Sequence, residues 1–137
     1  MAGVSEEQAM KAGEKMMPYF FHDSTAHEDV KCRMLMIEHG VEGYGRWWLL
    51  CEALAFCDKH RLPCKGSGLT LLAESLRCSA DECKAFLDTC AEVGLIEPDL
   101  YAAGFVVSDR MLRNSMLFGR NRVNGAKGGR PRKEKIA

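Results

Sequence analysis

Val41-Glu42-Gly43-Tyr44-Gly45-Arg46-Trp47-Trp48-Leu49-Leu50 runs without a break into Cys51-Glu52-Ala53-Leu54-Ala55-Phe56-Cys57 and holds both tryptophans of the chain. Trp47, Leu50, Leu54 and Cys57 recur at i, i+3, i+7 and i+10, one face of a helix. Tyr44, Trp48, Cys51 and Ala55 recur at i, i+4, i+7 and i+11, a second apolar face beside it. A helix apolar over so wide an arc is a core helix with neighbours on two sides. Burial contributes roughly 1.5–3 kcal/mol for each large apolar side chain. The structural core is therefore placed on Tyr44, Trp47, Trp48, Leu50 and Leu54, in a helix over residues 42–60. Gly43 and Gly45 in its first turn predict the close approach of another backbone. A phosphate loop is not indicated: no strand pattern leads in, and no G-x-x-x-x-G-K followed by Ser or Thr is present.

Upstream, Thr25-Ala26-His27-Glu28 reads as a capping box that opens a helix to about residue 38. Val30, Met34 and Ile37, joined by Met36, form its expected core stripe, and Gly40 supplies a left-handed exit. Residues 1–18 read as a short helix or an arm, starting at Ser5-Glu6-Glu7-Gln8 and closed by Pro18. Tyr19-Phe20-Phe21 is an extended apolar piece before the turn His22-Asp23-Ser24-Thr25.

Downstream, Pro63, Gly66 and Gly68 mark a connection with a short edge strand near residues 62–64. Leu69, Leu72, Ala73 and Leu76 predict a short helix. Ser79-Ala80-Asp81-Glu82 is a second capping box, opening a helix lined by Phe86, Cys90 and Val93 and closed by Gly94. Two helices so closely joined outline a helix-turn-helix. Leu95-Ile96-Glu97 and Phe105-Val106-Val107 flank a turn-rich loop and predict a hairpin. The expected fold is mainly α: a winged helix-turn-helix over residues 19–108 with a small β-hairpin wing. An extra C-terminal helix follows from Asp109 to about Val123, with Leu112, Met116 and Val123 as its docking side.

The zero net charge of the 137 residues hides an asymmetry. Residues 1–108 carry 10 Lys/Arg against 17 Asp/Glu, a net of −7, and residues 109–137 carry 9 against 2, a net of +7. Residues 109–137 are therefore read as a basic C-terminal helix and flexible tail that seek a polyanion. The candidate DNA contacts are Arg110, Arg113, Arg120, Arg122, Lys127, Arg130, Arg132 and Lys133, with Lys59, Arg61 and Lys65, beside His60, as a smaller basic spot. The helix after Ser79 sets Asp81, Glu82, Asp88 and Glu92 against Lys84 alone, which suits a protein partner better than a major groove.

No run is long and apolar enough to span a membrane and no signal-peptide pattern is present, so a soluble, cytoplasmic chain without membrane contact is expected. The seven cysteines fit packed, reduced thiols. Their spacings match no zinc module, and no nucleophile, base and orienting group can be tied together. Neither an enzyme nor a metal or cofactor site is expected.

Tyr19-Phe20-Phe21-His22-Asp23-Ser24, with Glu42-Gly43-Tyr44-Gly45 leading into Trp47-Trp48-Leu49-Leu50, resembles the amino-terminal domain of phage-type replication-initiation proteins, relatives of the DnaD-like replisome organisers. Residues 124–133 resemble the basic linker that follows this domain. Within them, Gly129-Arg130-Pro131-Arg132-Lys133 is similar to half of an AT-hook. The resemblance implies a winged helix, origin DNA, self-association and contact with a helicase or helicase loader. A DNA-free protein-interaction or inhibitor module and a winged-helix transcription regulator are the alternative readings. The acidic helix counts against the regulator.

Overall fold

In the computed structural model, which describes residues 3–126, the tryptophan stretch lies in helix α2, Val30–Phe56. α2 is broken at Gly40, whose φ of 72° and ψ of −172° only glycine adopts without strain. It is thus two helical segments, residues 30–39 and 41–56. In the second, Trp47, Leu50, Cys51, Leu54 and Ala55 are buried, with Tyr44 and Trp48 half-buried beside them. Both apolar faces therefore meet neighbours, as the periodicity requires. Gly43 is buried too, but its close neighbour is a side chain: an added methyl would lie 2.5 Å from Cβ of His39. Gly45 has open space around it.

The first segment departs from expectation twice. Thr25 makes no capping bond, and Ala26–Glu28 is a single 3₁₀ turn. Asp29 caps α2 instead, its Oδ1 accepting from the Lys31 and Cys32 amides at 2.9 and 3.4 Å. A carboxylate is favoured at that end by the helix dipole. The expected core stripe of Val30, Met34 and Ile37 is exposed, and Cys32 and Leu35 on the opposite face are buried. The segment is apolar on two sides, and only one can face the body.

A 3₁₀ turn, Asp58–His60, leads to strand β1, Leu62–Pro63, then to α3, Ser67–Ser75, and α4, Ala80–Val93. Ser79 and Glu82 form the expected capping box, and Gly94 ends α4 at φ 85°. The expected hairpin is absent. Residues 95–97 form no strand, and the loop after them is helix α5, Pro98–Ala102. Pro98 stands at a first-turn position that favours it, and the Glu97 carboxylate accepts from the Asp99 amide. Strand β2, Phe105–Val106, pairs antiparallel with β1, Leu62 opposite Val106 and Pro63 opposite Phe105. The Glu97 amide also donates to the Val107 carbonyl at 2.8 Å.

The last helix, α6, Asp109–Ala126, packs along α1, Glu6–Gly13. α1 starts in a reciprocal cap between Ser5 and Gln8, buries Ala9 and leaves Met10 exposed. On α6 the most buried residues are Met111, Asn114, Ser115 and Gly119, while Leu112, Met116 and Val123 are half-buried. Gly13 lies on the Ser115 carbonyl and Gly119 on the Ala9 carbonyl, so the two backbones touch where side chains are smallest. Replacing Gly119 by Val is expected to force the helices apart and to cost about 1–3 kcal/mol, as overpacking does. Thermal unfolding would show this as a lowered midpoint, with trypsin cutting after Lys11 or Lys15 sooner than in the parent chain. Among the described residues no helix is long and apolar enough to cross a membrane.

Candidate nucleic-acid interface

The four described arginines of the basic C-terminal region are not equivalent. Arg110 is half-buried, 5.7 Å from the Trp48 ring centre, and pairs with Asp23 at 3.0 Å. Arg122 donates to the carbonyls of Ala12, Lys15 and Met16 at 2.9, 3.3 and 2.6 Å, at the exit of α1. A cation fits there because the last carbonyls of a helix lack intrahelical donors and carry partial negative charge. Arg113 and Arg120 are exposed. Lys127, Arg130, Arg132 and Lys133 lie outside the described residues. Two guanidinium groups of α6 are therefore engaged within the fold and two face outward.

This division has a measurable consequence. Arg122→Ala is expected to lower stability by about 1–2 kcal/mol, because charged hydrogen bonds are lost and carbonyls are left without their donor. The pair Arg113→Ala and Arg120→Ala should change stability by less than about 0.5 kcal/mol, as exposed substitutions do. Urea denaturation of the two variants separates the roles.

In the smaller basic spot Lys59, Arg61 and Lys65 are exposed, and His60 is not. His60 is buried, its Nδ1 2.8 Å from the Leu54 carbonyl and its Nε2 2.6 Å from that of Gly13. It ties the end of α1 to α2 and offers nothing to a ligand outside. Lys65 donates to the Ala102 carbonyl at 2.9 Å, and the Arg61 guanidinium lies 4.7 Å from the Phe105 ring centre. Lys59 and Arg61 share a cleft of about 540 Å³ with Glu6 and Glu14, so the surface there carries both signs.

α4 is acidic on its open side. Asp81, Glu82, Asp88 and Glu92 are all exposed. A hydrogen bond from the Tyr101 hydroxyl, and after it the Lys84 ammonium 3.2 Å away, hold the Asp88 carboxyl below its usual range. Ser79 does the same for Glu82. Both therefore stay charged at neutral pH, a field that repels phosphate.

The two sequence blocks that carry the resemblance meet at Trp48. The His22 ring stacks on it at 3.4 Å between centroids, Phe20 lies parallel at 6.1 Å, and Tyr44 meets its edge. The Phe21 amide donates to Oδ1 of Asn114 at 2.9 Å, which joins this cluster to α6. Apart from Tyr44 and Trp48, one turn apart in α2, these contacts join residues far apart in sequence, so periodicity along the chain carries no signal of them.

All seven cysteines are free thiols. Burial pushes Cys83 up to about 12 and raises Cys51 and Cys90 as well, so these sulfurs are protonated and unreactive at neutral pH. Among the described residues no three His, Cys, Asp or Glu side chains converge on a metal position.

No curated protein and no solved structure matches the chain. A family model does match, over residues 19–111. That span takes in α2, both strands, α3, α4, α5 and the first residues of α6, and leaves out α1. It is more than half of the 137 residues, and the chain belongs to the Lin1244/Lin1753-like, N-terminal family.

Proposed function

We propose that this chain is the DNA-binding module of a phage- or mobile-element-type replication-initiation or replisome-organising protein. It holds DNA mainly through the exposed arginines of α6 and the basic residues beyond Ala126. The observation that carries this reading is the charge division, −7 over residues 1–108 and +7 over residues 109–137. Arg113 and Arg120 face outward on the last described helix before the remaining basic residues. Phosphate contacts of this kind give strong, salt-sensitive binding with little sequence preference.

The domain is read as a winged helix-turn-helix whose wing has been replaced. The order α2, β1, α3, α4, residues 95–97 and β2 supports this, with the Glu97–Val107 hydrogen bond standing for the missing strand pair and α5 for the wing loop. In that reading α4 holds the place of the groove-reading helix. Its carboxylates favour a protein partner there, such as a helicase or its loader. The same acidic face supports the second reading, a protein-interaction module that does not bind DNA.

Fluorescence anisotropy on duplex and single-stranded DNA tests the proposal, comparing the full chain with one ending at Ala126. The shorter chain keeps every element of the described residues, including the α1–α6 pair. Binding by the full chain at low salt, largely lost in the shorter one, is the expected result. No binding by either at low salt sinks the DNA reading. Equal binding by both moves the contact away from residues 127–137.

A further inference from the structure

Val30, Met34 and Ile37 are 65 %, 50 % and 83 % exposed on the outer face of α2. Their spacing of i, i+4 and i+7 makes them one stripe, and Val41, immediately beyond the break, is exposed as well. A contiguous apolar stripe on the surface marks an interaction site. We infer that residues 30–38 pair antiparallel with the same residues of a second copy of this chain, across a two-fold axis near Met34.

The charges beside the stripe select that occupant and that direction. Lys31 and Glu38 are seven residues apart, two helical turns, and so share one flank. Arg33 stands on the other flank. In an antiparallel two-fold pair each flank meets its own counterpart with the direction reversed. Lys31 then faces Glu38 of the second copy, and Glu38 faces its Lys31. A parallel pair would bring opposite flanks together and set Lys31 beside Arg33 of the second copy, cation against cation. Among the described residues neither Lys31 nor Glu38 takes part in an ion pair within the chain. Both also oppose the dipole of their own segment, the lysine near its amino end and the glutamate near its carboxyl end. In the monomer the Lys31 side chain leans on Gly94 at the carboxyl end of α4 and has to turn outward to meet Glu38 of an antiparallel neighbour, whereas Glu38 has no ion pair among the described residues to give up. Two-fold contacts of this type are self-complementary.

An interface made by one short helix per copy is small, so association is expected in the range of roughly 10–500 µM. Nothing in the pairing depends on whether the chain binds DNA, and the test uses none. Sedimentation equilibrium of the full chain over that range should show a monomer–dimer equilibrium. Ile37→Glu should weaken it at least about tenfold, one buried charge being enough for that, with an unchanged circular dichroism spectrum because Ile37 is 83 % exposed in the monomer. Lys31→Glu and Glu38→Lys should each weaken self-association, since each creates like-charge pairs on both sides of the axis. Mixed in equal amounts, these two variants should associate with each other, because their contacts are again complementary. A chain that stays monomeric throughout the range overturns the inference. So does a dimer indifferent to Ile37→Glu. A mixture of the two charge variants no more associated than either alone overturns the antiparallel direction.

Discussion

Raising the salt from about 50 to about 200 mM is expected to weaken duplex binding by the full chain about a thousandfold. The size follows from the cations proposed to meet phosphates. Arg113 and Arg120 are exposed on α6, and Lys127, Arg130, Arg132 and Lys133 follow. Arg110 and Arg122 are left out because their guanidinium groups already serve Asp23 and the end of α1. Six phosphate contacts give a log–log slope of about −5 on duplex DNA and a shallower one, about −4, on single strands. Ending the chain at Ala126 leaves two of the six, and the slope should fall to about −2. Anisotropy titrations at four or five salt concentrations measure all three slopes. A slope near zero with binding intact would mean that the contact is not phosphate-driven, and the acidic face of α4 would then be the first place to look.

The largest loss of stability is expected from Trp47→Ala, about 3–5 kcal/mol. The side chain is 2 % exposed and belongs to the central apolar cluster with Leu50, Leu54, Phe86 and Leu87. The cost combines the lost transfer of the indole out of water with the cavity left behind. Domains of this size are stable by about 5–15 kcal/mol, so the variant should be partly or wholly unfolded at moderate urea. Circular dichroism against urea measures it. Trp48→Phe is the informative comparison. The Trp48 ring is half-buried in its aromatic stack, and its buried Nε1 has no acceptor among the described residues. Phenylalanine keeps the stacking surface and removes a donor whose burial is unfavourable. That change is expected to be near neutral, within about 1 kcal/mol. A loss there as large as for Trp47 would show that the indole N–H is satisfied after all.

The acidic α4 and the basic end of the chain also bear on each other. Like charges are segregated rather than mixed, so a phosphate chain held by the arginines of α6 is kept off α4. In the proposed mode α4 is left open to a partner while DNA is bound. The two proposed roles can therefore operate together on one small domain.

What the sequence determined by itself lies within a few residues of each signal. The reciprocal caps at Ser5 and Ser79, the break at Gly40, the exit at Gly94 and the buried faces of the tryptophan helix all follow from groups that meet inside one or two turns. Tertiary structure decided what involves a distant partner. Residues 30–39 carry two apolar stripes, and only packing against the body chose Cys32 and Leu35 over Val30, Met34 and Ile37. Phe105–Val106 is β-prone from its own residues, but the strand it pairs with, Leu62–Pro63, lies some forty residues earlier, while Pro98 and Glu97 turned the intervening loop into a helix. Arg110 and Arg122 look like phosphate contacts from composition alone, yet Asp23 and the carbonyls closing α1 take them first. Local bonds are short in sequence and so leave a pattern there. The choice between two equally apolar faces, or between a phosphate and a carbonyl for one guanidinium, is made by groups that only the folded chain brings together.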